Sequence, residues 1–231
     1  MTKTAIHFSG AANRRVLPGL VAATFLSLLH NLAFSPLLPA IAADLHLEVG
    51  QLGQIPAAIG LGAALIGLIA GPLADRYGKR RTLLSGVLAL VAASAVLAVL
   101  PGLAGLALVA ILAAVGRATV YPLALAIASA EYEGEPRRQA VSRITSSLAA
   151  APIVGVPIVT AVAAALDWRA AWLGLAVVTA IAYVWLSKLF RTRLSGPVPA
   201  NGRPPGPGLT AAYGAVIRHR PRAWPCWAAR S

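Results

Sequence analysis

Six apolar runs, each about twenty residues or longer and separated by short polar breaks, constrain this chain more than any other feature. They cover roughly 16–41, 51–74, 82–100, 106–130, 140–166 and 170–190. The hydrocarbon core of a bilayer is about 30 Å thick, and about twenty helical residues at 1.5 Å each cross it. Backbone polar groups in hydrocarbon must be satisfied within their own segment, so each run reads as a helix. The expected fold is an all-α membrane protein with six transmembrane helices in one bundle over 16–190. A polar leader occupies 1–15, and a Pro/Gly-rich linker and tail fills 191–231.

Composition excludes several function classes. Charged residues make up 12% of the 231, about half the roughly 25% of a soluble domain. The net charge of +13 would suit a nucleic-acid partner, but the bases lie in the breaks between apolar runs, so no nucleic acid is expected. Cys226 is the single cysteine and can form no intramolecular disulfide. The four histidines, His7, His30, His46 and His219, are isolated. No metal is expected from that spacing, and no glycine-rich phosphate loop points to a cofactor. Run one competes with a signal peptide because Ala40-Ile41-Ala42-Ala43 loosely fits a cleavage site, but it is too long for a signal core of about 7–15 residues.

Charge sets the orientation. Of 20 Lys and Arg, Arg169 falls in a proposed external connector and Arg117 inside a run. The other 18 fall at the N-terminus, between runs two and three, between runs four and five and at the edge of run five (Arg143), or on the C-terminal side from Lys188 onward. Lys and Arg are retained on the cytoplasmic side. Six spans put both termini there, and a multi-pass protein of the plasma (inner) membrane is expected. The connector at 42–50, with Asp44, His46 and Glu48, and the uncharged turn Pro101-Gly102-Leu103-Ala104-Gly105 then face outward.

Polar residues inside the runs are the candidate cavity residues. Thr24, Ser27, Asn31 and Ser35 fall in an arc of about 80° on run one at 100° per residue. Such a stripe faces protein or a water-filled cavity, unless its hydroxyls bond their own i−4 carbonyls. Arg117, with Tyr121 one turn on, and His30 beside Asn31 lie near mid-depth, where secondary transporters place substrates. A midplane charge costs at least about 2.5–3.5 kcal/mol and demands a partner. For Arg117 that partner is an anionic substrate, helix carbonyls near a kink at Pro122, or an acid supplied from outside the six runs. For His30, a packed neutral ring and a proton carrier remain open. Ala63, Gly67 and Gly71 on run two make a small-residue face for close helix approach.

The break Gly71-Pro72-Leu73-Ala74-Asp75-Arg76-Tyr77-Gly78-Lys79-Arg80-Arg81-Thr82 carries the sharpest motif, G-x-x-x-D-R-x-G-K-R-R. It resembles the loop between helices 2 and 3 of the major facilitator superfamily of secondary transporters, and every fixed position is filled. Gly155-Val156-Pro157 resembles the helix 5 signature of the family's proton-antiporter branch. Asp167-Trp168-Arg169 looks like the turn into its helix 6, with Asp in place of Gly. The resemblance covers about 15–195, one six-helix bundle of a fold that usually has two. It implies proton-coupled efflux of drug- or sugar-like small molecules, with the 2–3 loop as a gate. In such a gate Gly71, Asp75, Arg76, Gly78, Lys79, Arg80 and Arg81 hold the cytoplasmic ends of two bundles together, Asp75 accepting charge-assisted hydrogen bonds. Arg117 departs from the family, whose helix 4 arginine would fall near Ala110, so its coupling role is not carried over. The resemblance also implies a second six-helix bundle, or a homodimer in its place, as partner. The competing readings are an inactive fragment, or a six-helix protein acting through self-association or a partner chain. An intramembrane serine protease lacks its second histidine, and no enzyme activity is expected.

Overall fold

The computed structural model describes residues 16–100 and 102–191; the expected leader, and the linker and tail from 192 onward, lie outside them. Six helices long and apolar enough to cross a membrane follow one another: α1 (Val16–Leu45), α2 (Gln54–Tyr77), α3 (Lys79–Val99), α4 (Leu103–Glu131), α5 (Gly134–Ala165) and α6 (Trp168–Arg191). A single helical turn, Val49–Leu52, precedes α2. The described residues contain no strand.

Two buried clusters record an up-and-down path. One gathers the starts of α1, α3 and α5 (Leu20, Val87, Ile144) with the ends of α4 and α6 (Ile127, Phe190). The other gathers the opposite ends, with Phe34 of α1, Ile59 of α2, Leu97 of α3, Val159 of α5 and Trp172 of α6. Consecutive helices therefore run antiparallel, and α1, α3 and α5 run parallel.

Burial is uneven along the chain. In the most apolar stretch of α1, 61% of residues are buried inside the bundle, against 17% in α2 and 17% in α5. The tightest approach joins α3 to α4: a Cβ on Gly86 would collide with the Thr119 hydroxyl, and one on Gly116 with the Leu90 side chain. The small-residue face expected on run two behaves differently. Ala63 is buried, but Gly67 and Gly71 have nothing within 4 Å of where a Cβ would stand. Within this bundle those two glycines admit no neighbour.

Several boundaries differ from the sequence expectation for one reason. The apolar runs mark the hydrocarbon-facing length, whereas charged residues such as Glu, Lys and Arg are good helix formers and extend the helices beyond it. The break expected between runs two and three shrinks to Gly78 alone, with Asp75 and Arg76 in the last turn of α2 and Lys79, Arg80 and Arg81 in the first turn of α3. The connector expected at 131–139 shrinks likewise, because α5 starts at Gly134 and takes in Glu135, Arg137 and Arg138. Trp168 and Arg169 belong to α6 rather than to a break.

The helix irregularity also moves. Pro122 lies inside an unbroken α4. The departure from α-helix is in α5, a π turn at Ala151–Gly155 closed by the Val156 N–H on the Ala151 carbonyl. Pro152 lies within it and Pro157 two residues beyond it, and neither has an N–H to give to the helix. Widening one turn re-registers the ladder around those gaps.

Candidate functional site

Position along each helix puts the polar residues at depth, and rotation around it decides what they meet. Arg117 is the middle residue of α4, and His30 and Asn31 are the middle residues of α1. The Arg117 side chain is exposed, and its Nη1 donates to Asn31 Oδ1 at 2.9 Å. Asn31 Nδ2 in turn donates to the Ser27 carbonyl at 3.3 Å. The partner is thus a neutral amide on the neighbouring helix rather than a carboxylate or a carbonyl near Pro122. All seven acids of the chain, Asp44, Glu48, Asp75, Glu131, Glu133, Glu135 and Asp167, sit at helix ends or connectors. No carboxylate among the described residues neutralises Arg117 at mid-depth.

His30 points elsewhere, because adjacent helical residues are about 100° apart. It is buried, with Nδ1 2.7 Å from the Leu26 carbonyl and Nε2 2.7 Å from Ser94 Oγ of α3. A carbonyl only accepts, so Nδ1 carries the proton and Nε2 accepts from the Ser94 hydroxyl. The Trp172 ring of α6 lies 6.2 Å away, and its own Nε1–H is buried without a hydrogen-bond partner among the described residues. His30 therefore ties α1 to α3 inside the bundle rather than standing beside Arg117.

The rest of the stripe divides in the same way. Thr24 is buried and donates to the Leu20 carbonyl at 2.8 Å, the local bond that makes a hydroxyl tolerable in a spanning helix. Ser27 is buried as well, whereas Ser35 is exposed. Tyr121, one turn beyond Arg117, is half-buried and packs against the cluster at the charged end of the bundle.

At that end Gly78 joins α2 to α3 with φ +94°, a backbone region that penalises any β-carbon. Its N–H caps α2 on the Ala74 carbonyl, and its own carbonyl accepts from Thr82 N–H at 3.1 Å. The motif's charges separate by role. Arg80 reaches α4, its Nη2 2.7 Å from Glu131 Oε1, and its guanidinium lies 5.5 Å from the Phe190 ring centre of α6. It fastens three helix ends of the same bundle. Asp75, Lys79 and Arg81 are exposed and form no ion pair among the described residues; Arg76, also exposed, stacks on the neighbouring Tyr77 ring at 5.6 Å. Gly71 is open, one turn before Asp75 on α2.

In α5, Gly155 lies in the π turn and makes room for α1: Leu29 Cδ1 stands 2.7 Å, and the Phe25 ring 3.1 Å, from where its Cβ would be. Pro157 is exposed as the second residue of the following α-helical segment. At the opposite end of the bundle Arg169 of α6 pairs with Asp44 of α1 at 2.8 Å, and the Asp167 carboxylate accepts the Ala170 N–H at the start of α6.

Sequence reasoning singled out neither Glu131 as the partner of Arg80 nor Arg143. Arg143 stands at the edge of the expected run five, yet α5 begins nine residues before it. The signal was present, since a charged stretch of strong helix formers leads directly into the run.

The sequence profile described as Major Facilitator Superfamily matches residues 20–230. The chain belongs to the major facilitator superfamily. It is 34% identical over 220 residues to a probable transporter of Streptomyces coelicolor, covering 94% of this chain and 49% of that protein. It is 30% identical over 141 residues to a chloramphenicol resistance protein of Streptomyces lividans (61% of this chain, 36% of that protein). The multidrug transporter MdtP of Bacillus subtilis is 25% identical over 162 residues (69% and 30%). The chain therefore spans half or less of the length of these relatives. A crystal structure of the peptide transporter POT superposes with a TM-score of 0.71 at 20% identity, covering 87% of this chain and 44% of that one. That likeness shows the fold, and with the family it makes this a multi-pass integral membrane protein.

Proposed function

We propose that this chain is one six-helix half of a proton-coupled efflux transporter for small drug-like molecules, working against a second bundle. The observation that carries the reading is Arg117, a charge at mid-depth, exposed and, among the described residues, held by the neutral Asn31 with no carboxylate beside it. A charge at that depth is costly unless it lines a cavity, and substrate sites of secondary transporters lie near the midplane between two repeats. The names of the chloramphenicol resistance protein and the multidrug transporter among its relatives favour efflux of drug-like compounds. The exposed faces of α2 and α5, the least buried of the six, are where a second bundle would pack.

In this reading the charged end is cytoplasmic and works as a gate. Asp75 and Arg76, exposed at the end of α2, would meet the other bundle when the site faces outward, while Arg80 keeps this bundle's own ends together. In a Cys226→Ser background, thiol labelling should reach His46→Cys and Leu103→Cys from outside, and Lys79→Cys and Glu135→Cys only after permeabilisation. Labelling of Lys79→Cys from outside would reverse the orientation. Asp75→Asn, in the chain joined to a second bundle, should lower pH-driven efflux from vesicles while insertion stays normal. Unchanged efflux would remove the gate.

A further inference from the structure

Between α1 and α5 lies a groove of about 590 Å³, away from the Arg117–Asn31 pair. Its walls are Leu17, Val21 and Phe25 on one side and Arg143, Ser146 and Ser147 on the other. The two helices run parallel, with Gly155 level with Leu29. Twelve residues earlier on each helix, Arg143 is then level with Leu17, at the charged end of the groove. The groove runs inward from there to Phe25, about 12 Å at 1.5 Å per residue. Arg143 is exposed and forms no ion pair among the described residues, whereas its neighbour Arg138 pairs with Glu135 at 2.7 Å. Ser147 spends its hydroxyl on the Ile144 carbonyl, so the inner walls are apolar in effect.

We propose that this groove binds an anionic phospholipid, with the phosphate on the Arg143 guanidinium and one acyl chain laid along Leu17, Val21 and Phe25. The order of the chemistry favours a lipid over a soluble anion. The cation stands at the surface end, where a long side chain snorkels to the headgroup level, and the apolar length follows beneath it. Arg143 also lacks a carboxylate to compete with the phosphate. The proposal does not depend on transport and stands or falls separately from the efflux reading.

The test is native mass spectrometry of the full 231-residue chain, extracted from vesicles of equal phosphatidylglycerol and phosphatidylcholine. The expected result is retained lipid with about fivefold preference for phosphatidylglycerol, the effect of one basic side chain near an anionic headgroup. Arg143→Gln should erase the preference and Arg143→Lys should keep it. Ala22→Phe, which fills the groove, should lower retention of both lipids. Equal retention by the parent chain, or an undiminished preference in Arg143→Gln, would overturn the proposal. Displacement of the lipid by dodecyl phosphate at concentrations well below its micelle point would overturn the lipid assignment in favour of a small amphiphilic anion.

Discussion

Two neighbouring residues of α1 sit in opposite surroundings. His30 is closed in, both ring nitrogens bonded and Trp172 against it; Asn31 lies beside an exposed arginine. The same division separates the glycines. Gly86 is filled by the Thr119 side chain of α4, whereas Gly67 on α2 faces open space. Small and polar residues thus fall into two classes in one bundle: on the closed side they fasten helices to each other, and on the open side they leave the surface uncovered.

The largest expected effect tests the glycines. Gly86→Leu should cost about 3 kcal/mol or abolish folding, because the side chain would have to displace Thr119 and part α3 from α4. Gly67→Leu should change stability by less than about 0.5 kcal/mol, as for an exposed site without special features. Thermal unfolding in detergent reads both, and equal losses would erase the division. A second bundle seated on α2 would make Gly67→Leu costly only in its presence.

Next comes the closed polar pair. Ser94→Ala leaves His30 Nε2 buried without a donor and should cost about 1 kcal/mol, in line with hydrogen bonds between membrane helices. Asn31→Ala, on the open side, should cost less in stability, because Arg117 is exposed and in the proposed cavity would turn to water. A larger loss for Asn31→Ala would mean that the Arg117 pair is a fastening too.

The smaller effects concern the two ends. Glu131→Gln should lower stability by about 1 kcal/mol, since the carboxylate is largely buried with side-chain exposure of 11% and Arg80 keeps its contact with Phe190. Asp44→Asn should cost about 0.5 kcal/mol or less, because both partners of the Asp44–Arg169 pair are 39% exposed. Added salt should shrink the Asp44–Arg169 contribution more than the Arg80–Glu131 contribution.

The six helices and their order were legible because apolar length is a one-dimensional signal. What each polar residue meets was not, because it depends on rotation about the helix and on the neighbour. Thr24, Ser27, Asn31 and Ser35 share an arc, yet Ser27 is buried and Ser35 exposed, since helices crossing at an angle cover only part of any one stripe. Helix ends were misjudged at Glu135 and Lys79, where charged residues that leave the membrane remain helical. The π turn at Ala151–Gly155 needed the combined effect of Pro152 and Pro157, while the single Pro122 in α4 produced no break. The motif's positive charges were legible as a group; that Arg80 alone turns inward to Glu131 required the end of α4 to be in place.

The central claim is that the mid-depth face carrying Arg117 and Asn31 is open to water and that the face carrying His30 is closed. Cysteine accessibility in native membranes tests it most directly, using a charged, membrane-impermeant thiol reagent on the Cys226→Ser chain. Arg117→Cys and Asn31→Cys should react, while His30→Cys and Ser94→Cys should stay unmodified until the protein is unfolded. Reaction at His30→Cys with none at Arg117→Cys would contradict the account.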